Sequence, residues 1–160
     1  MKNSIIVQIE DPNSTDAARL MNALSDTLQS ITGDSGRNSF DVQDVSVPRS
    51  LFVLARDQSG EAIGCGAIRP INDRVAEVKR MYAGSKGAGV GSAVLSYLEQ
   101  HAALLDYSEL WLETRLINQR AVSFYENRGY HRIANYGKYA GNEESVCFGK
   151  RLASNNEVDE

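Results

Sequence analysis

The stretch Lys86-Gly87-Ala88-Gly89-Val90-Gly91 decides how this chain is read. Before it runs Ala76-Glu77-Val78-Lys79-Arg80-Met81-Tyr82, which is β-compatible. After it, from Ser92 to Leu105, the residues Ala93, Val94, Tyr97, Leu98, His101, Ala102 and Leu105 recur at helical spacing. A glycine-rich turn between strand and helix lets backbone amides approach an anion closely. The first turn of a helix adds unpaired N–H groups and the positive end of a dipole. A pyrophosphate satisfies both, and Lys86 adds a cation.

Three loop chemistries compete for this pattern. A Walker A loop needs Lys and then Ser or Thr after its last glycine, and here Gly91 is followed directly by Ser92. A dinucleotide loop is a closer rival, because Gly87-Ala88-Gly89 follows a strand and Glu113 ends the next one, where a ribose-binding acid would lie. Its third glycine position, however, is occupied by Ser92. Its strand would also carry Glu77, Lys79 and Arg80, whereas a strand buried on both faces is nearly all apolar. The third chemistry is the coenzyme A loop of an acyltransferase. A strand–helix turn with no ligand is the plain alternative.

The composition suits one soluble domain. A length of 160 residues allows a real core, and 42% hydrophobic and 24% charged residues are ordinary for a globular chain. A formal net charge of −4, with no dense basic run, argues against a nucleic-acid or membrane-surface partner. The start, Met1 to Val7, is too short and too soon polar for a signal peptide, and no stretch reaches membrane-spanning length. A cytoplasmic location is the default expectation. Cys65 and Cys147 stand apart in strand-like segments and read as reduced core thiols. His101 and His131 lack metal-ligand spacing, so no metal is expected.

Periodicity predicts strands at Ser4–Glu10, Leu51–Arg56, Ala62–Ile68, Val75–Tyr82, Glu109–Glu113, Tyr130–Ala134 and Ser145–Leu152. It predicts helices at Asp16–Ile31, Ser92–Leu105 and Gln119–Asn127, with Asn118 as an N-cap and Gly129 just past the last helix. Phe40–Val47 is ambiguous. The turn at Asn72-Asp73 makes its flanking strands antiparallel neighbours. The expected fold class is α/β: a single-domain, mixed, mostly antiparallel sheet flanked by helices, spanning residues 1–152. Residues 153–160 form an acidic tail expected to fray.

These residues resemble the GNAT superfamily of N-acetyltransferases. Glu77-Val78-Lys79-Arg80-Met81-Tyr82 resembles its central strand, and Lys86 to Gly91 its pyrophosphate loop. Leu112-Glu113-Thr114, Asn118, Ala121, Phe124-Tyr125 and Arg128-Gly129-Tyr130 resemble its second binding strand and helix. The match runs from Leu51 to Leu152. Three departures stand out: the segment between Tyr82 and Lys86 is short and lacks a proline, Arg115 replaces a frequent glycine, and Lys86 replaces Arg or Gln.

The resemblance implies an acyl-CoA N-acyltransferase fold and acetyl-CoA as cosubstrate. It implies that the loop Lys86, Gly87, Ala88, Gly89, Val90, Gly91 and Ser92 holds the pyrophosphate. It further implies that the Met81 N–H meets the acetyl carbonyl, and that Tyr82 and Ala83 pair with the pantetheine arm. Asn118 is implied as a ligand of that arm, although an N-cap role explains it equally. Tyr125 is implied as the acid for the departing thiolate, with a packed aromatic as the alternative.

Acetyl transfer also needs a neutral amine. Glu77 is the candidate base, because it lies four residues before Met81 and so on the same strand face by the two-residue period. An ion pair with a strand cation is its alternative reading. Arg37, Arg69 and Arg80 are candidates to bind a carboxylate-bearing acceptor, against ordinary pairing with Glu61, Glu77 or Glu113. Tyr136 and Tyr139 fall in a glycine-containing loop that would wall the acceptor site or cover the sheet end.

The expected function is direct transfer of acetyl from acetyl-CoA to a small-molecule amine. Rivals are acetylation of a protein N-terminus or lysine, a non-catalytic acetyl-CoA-binding module, and a dinucleotide binder. A homodimer, paired through a terminal strand such as Ser145–Leu152, is compatible with the sequence, but no residue demands it.

Overall fold

The computed structural model describes residues 4–37, 40–84 and 89–153. Lys86, Gly87 and Ala88 of the expected pyrophosphate loop, and all of the expected acidic tail except Ala153, lie outside the described residues.

Among the described residues seven strands form one sheet: β1 (Ile6–Ile9), β2 (Leu51–Arg56), β3 (Ala62–Pro70), β4 (Val75–Ala83), β5 (Glu109–Arg115), β6 (His131–Ile133) and β7 (Ser145–Arg151). Their order is β1-β2-β3-β4-β5-β7-β6. Neighbours are antiparallel except β4 and β5, which run parallel across the α2 crossover. Three helices flank the sheet: α1 (Thr15–Thr32), α2 (Val90–Leu104) and α3 (Gln119–Glu126). The expected mixed, mostly antiparallel sheet is therefore present. The ambiguous segment after α1 contains a short 3-10 turn at Val42–Val45, capped by the Asp41 side chain.

β7 lies between β5, which pairs along its whole length, and the short β6. On that second side β6 covers Cys147–Gly149. The sequence pattern marked β7 as a late strand, but the return of β6 to its free edge is a tertiary event.

The sheet buries its two faces differently. On one face, α2 and α3 cover Val53, Ile68, Ala76, Val78, Leu110, Leu112 and Phe148. On the other, α1 covers Phe52, Leu54, Cys65 and Ala67 through Ala17 and Leu20. Apolar burial at this scale is the main driving force for the fold. α2 lies very close to the sheet because β3 is glycine-rich there. A Cβ at Gly66 would fall 2.7 Å from Val94 Cγ1 and 2.9 Å from Met81 Sδ.

Opposite Gly66 the register slips. Ala67 pairs with Lys79 and Cys65 with Tyr82, so β4 places Arg80 and Met81 where β3 has one residue. This is a β-bulge, and Arg80 takes the left-handed conformation at φ 54°. A bulge turns the following side chains to the other face. Met81 accordingly packs into the α2-side core, while Glu77 lies on the opposite face. The expectation that Glu77 and Met81 share a face is corrected by this one inserted residue.

Candidate active site

β4 and β5 pair only from Val75↔Glu109 to Glu77↔Trp111. Both strands continue, to Ala83 and Arg115, without further pairing to one another. The sheet thus opens beyond Glu77, and the β5-facing edge of Met81, Tyr82 and Ala83 has no strand neighbour among the described residues. Unpaired backbone edges of this kind can accept an extended partner.

The N-terminus of α2 sits beside this opening. Gly89 is its N-cap at φ 88°, with no side-chain cap among the described residues, and Val90 is buried. Gly91 is close-packed, since a Cβ there would lie 3.1 Å from the Phe124 ring and 3.8 Å from Ala83 Cβ. The sequence offered anion approach as the reason for this glycine, and packing against α3 is a second. Ser92 Oγ accepts from Arg128 Nε at 2.8 Å, and the Arg128 guanidinium lies over the Phe124 ring at 3.8 Å. Arg128 thus ties α3 to the first turn of α2.

On α3, Asn118 accepts from the Ala121 N–H at 3.3 Å, the N-cap geometry. Tyr125 is buried in edge-on contact with Phe124 and Tyr130. Its hydroxyl has no hydrogen-bond partner among the described residues. Burial raises its pKa, so the phenol holds its proton.

The other side of the opening is polar. Glu77 is 2% exposed, and its carboxylate is fully engaged. Oε1 accepts from Arg69, while Oε2 accepts from Tyr136 at 2.7 Å and Tyr139 at 3.0 Å. Arg69 also pairs with Asp44 at 3.0 Å. Lys79 Nζ donates to the Tyr139 hydroxyl at 3.0 Å. Burial pushes the Lys79 ammonium down to about 8, and the charges of Arg69 and Lys138 act in the same sense. Tyr136 and Tyr139 are pushed up, first by burial and then by the Glu77 charge. Arg69, Glu77, Tyr136, Lys138 and Tyr139 line a cavity of about 210 Å³.

Arg80 reaches α1. Its Nη2 donates to the Met21 carbonyl at 2.7 Å and Ser25 Oγ at 2.6 Å on α1. Its Nε is buried without a partner. Arg37, in the loop after α1, donates to Asn22 at 3.3 Å. The structure thus brings Glu77, Arg69, Tyr136 and Tyr139 together, and sets Arg37 and Arg80 apart near α1. Lys79, Ser25 and Arg128 join these groups only through the fold. For Lys79 the signal lay in its two-residue spacing from Glu77, which puts both on one strand face.

The thiols do not compete as nucleophiles. Both cysteines are free and buried, and burial pushes Cys65 up to about 12. Among the described residues there is no group of three or more His, Cys, Asp or Glu that could hold a metal. Among the described residues no helix is long and apolar enough to cross a membrane.

A splayed parallel pair beside an uncapped helix N-terminus is the geometry expected of an acyl-CoA site, and a family model for the acetyltransferase (GNAT) family matches residues 17–130. The chain belongs to the GNAT family. It is similar to an IAA acetyltransferase of Azospirillum brasilense, 26% identical over 93% of this chain and 99% of the relative. Among solved structures it resembles a Klebsiella pneumoniae protein of the acyl-CoA N-acyltransferase type, with 26% identity and a TM-score of 0.77 over 93% of this chain and 98% of the other. A GNAT acetyltransferase from Elizabethkingia anophelis with acetyl-CoA bound shares the fold, with 16% identity and a TM-score of 0.67 over 92% of this chain and 98% of that one. The protein is an acetyl-CoA-dependent N-acetyltransferase.

Proposed function

We propose that this GNAT enzyme acetylates the primary amine of a small molecule that also carries a carboxylate, such as an amino acid, by direct transfer in a ternary complex. The observation that carries this reading is the state of Arg80. Its guanidinium is half-buried, has an unpaired Nε and meets no carboxylate among the described residues. Burial and the neighbouring Arg37 both disfavour its charge. A cation left in this condition is stabilised by an incoming anion, and arginine suits a carboxylate. Arg69 is already committed to Glu77 and Asp44, so the acceptor carboxylate falls to Arg80 and Arg37.

In this reading acetyl-CoA lies along the open edge of Met81, Tyr82 and Ala83. Its pyrophosphate meets the first turn of α2 from Gly89 to Gly91, together with Lys86, Gly87 and Ala88, which precede that turn in the sequence. Asn118 keeps its capping role, and Ser92 holds Arg128. Tyr125 supplies the proton to the thiolate, and Glu77 acts through the phenols bonded to it.

Free-thiol release from acetyl-CoA, measured against amino acids, their decarboxylated counterparts, polyamines, aminoglycosides and short peptides, tests the proposal. Turnover of an amino acid well above that of its decarboxylated counterpart, with KM for the acid raised in Arg37→Ala, supports it. Equal turnover of the pair, or turnover of peptides alone, overturns it.

A further inference from the structure

Building on the acetyl-transfer reading, we propose that Lys79 is the catalytic base, its Nζ taking the proton released by the attacking amine while Tyr139 and Glu77 hold it in place. Glu77 itself is sealed from the acceptor, because Arg69, Tyr136 and Tyr139 occupy both of its oxygens. Lys79 is the next residue on the same face toward the opening, and β4 leaves β5 just before it. Its Nζ has one hydrogen-bond partner among the described residues, the neutral Tyr139 hydroxyl, and it forms no ion pair there.

The charges facing Lys79 come from each element around it. Glu77 on β4 and Glu113 on β5 favour the ammonium, while Arg69 on β3 and Lys138 beside Tyr139 oppose it. Burial outweighs them and lowers the pKa to about 8, so a useful fraction is neutral near that pH. Tyr139 links Lys79 to Glu77 in a line of hydrogen bonds that fixes the direction of Nζ.

The step balances as follows. The amine nitrogen forms a bond to the acetyl carbon as the carbon–sulfur bond breaks. The proton lost from nitrogen passes to the lone pair of neutral Lys79, which becomes an ammonium. The thiolate takes its proton from Tyr125, and solvent exchange returns both side chains to their starting states. Tyr139 and Glu77 are positioning residues in this scheme.

The full chain labelled with 13C-lysine gives a direct test. The Lys79 Cε signal, assigned by its loss in Lys79→Arg, is followed against pH, and kcat for thiol release is followed with the fastest amine of the panel. The expected midpoint is near 8, with a wild-type acid limb at the same place. Lys79→Met and Lys79→Arg are expected to lose about 100-fold or more in kcat, with KM for acetyl-CoA unchanged. A midpoint near the ordinary lysine value of about 10.4 overturns the proposal. So does full kcat in Lys79→Arg, which would make Lys79 a fixed charge for the acceptor. If acetyl-CoA binds and no amine turns over, the acceptor reading fails while the titration still decides Lys79.

Discussion

Arg69 and Glu77 are register partners on β3 and β4, and their charged ends meet at 2.9 Å with Glu77 only 2% exposed. A buried carboxylate held in this way depends on its partner more than the pair contributes to the fold. Arg69→Met is expected to lower unfolding free energy by roughly 3 kcal/mol in urea titration, because it strands the Glu77 charge. Adding Glu77→Gln to that variant should restore part of the loss. A double variant no better than Arg69→Met alone would refute the charge argument.

Tyr125 offers a cleaner test of catalysis than of folding. Its ring packs between Phe124 and Tyr130, and its hydroxyl makes no hydrogen bond among the described residues. Tyr125→Phe should therefore leave the melting temperature nearly unchanged. If the phenol protonates the thiolate, kcat for thiol release falls by about 100-fold. An unchanged kcat would reduce Tyr125 to a packing residue.

The response of stability to alkali follows from groups whose ionisation is shifted in the folded state. Lys79 is neutral above about 8 when folded but stays charged to about 10.4 when unfolded. Between those values the unfolded chain binds more protons, so Lys79 makes stability rise with pH. Tyr125, Tyr130, Tyr136 and Tyr139 all have raised pKa values, with burial the largest cause in each. Above about 10 the unfolded phenols ionise while the folded ones do not, so stability falls. Urea midpoints taken from pH 7 to 11 should climb slightly and then drop steeply. Replacing Tyr130 with Phe should soften the drop.

Gly66 holds α2 against the bulge. Its Cβ would meet Val94 at 2.7 Å and Met81 at 2.9 Å. Gly66→Ala should cost about 1–3 kcal/mol of stability by overpacking. It should also weaken coenzyme A binding, since Met81 and the α2 N-terminus border the open edge. Calorimetric titration with coenzyme A reads the second effect, and intact affinity in a destabilised variant would uncouple the two.

Much of this enzyme was legible before folding. Local patterns carried the elements: β2 spans Leu51–Arg56 as its apolar run predicts, and α3 starts after the Asn118 cap. Turn chemistry at Asn72-Asp73 made β3 and β4 antiparallel neighbours. The stretch from Lys86 to Gly91 left several loop chemistries open, and only its resemblance to the GNAT superfamily, together with the later motifs, pointed to acetyl-CoA.

What lay beyond the sequence depends on one inserted residue and on distant contacts. The bulge at Arg80 and Met81 lies opposite Gly66, where α2 packs closely on the sheet, and it separates Glu77 from Met81 by a face. The engagement of Glu77 by Tyr136 and Tyr139 spans roughly sixty positions of chain, and the position of β7 between β5 and β6 spans its neighbours likewise. Periodicity specifies which residues share a face only while the period is unbroken. Where the backbone slips by one, the packing of the whole molecule decides which way each side chain points.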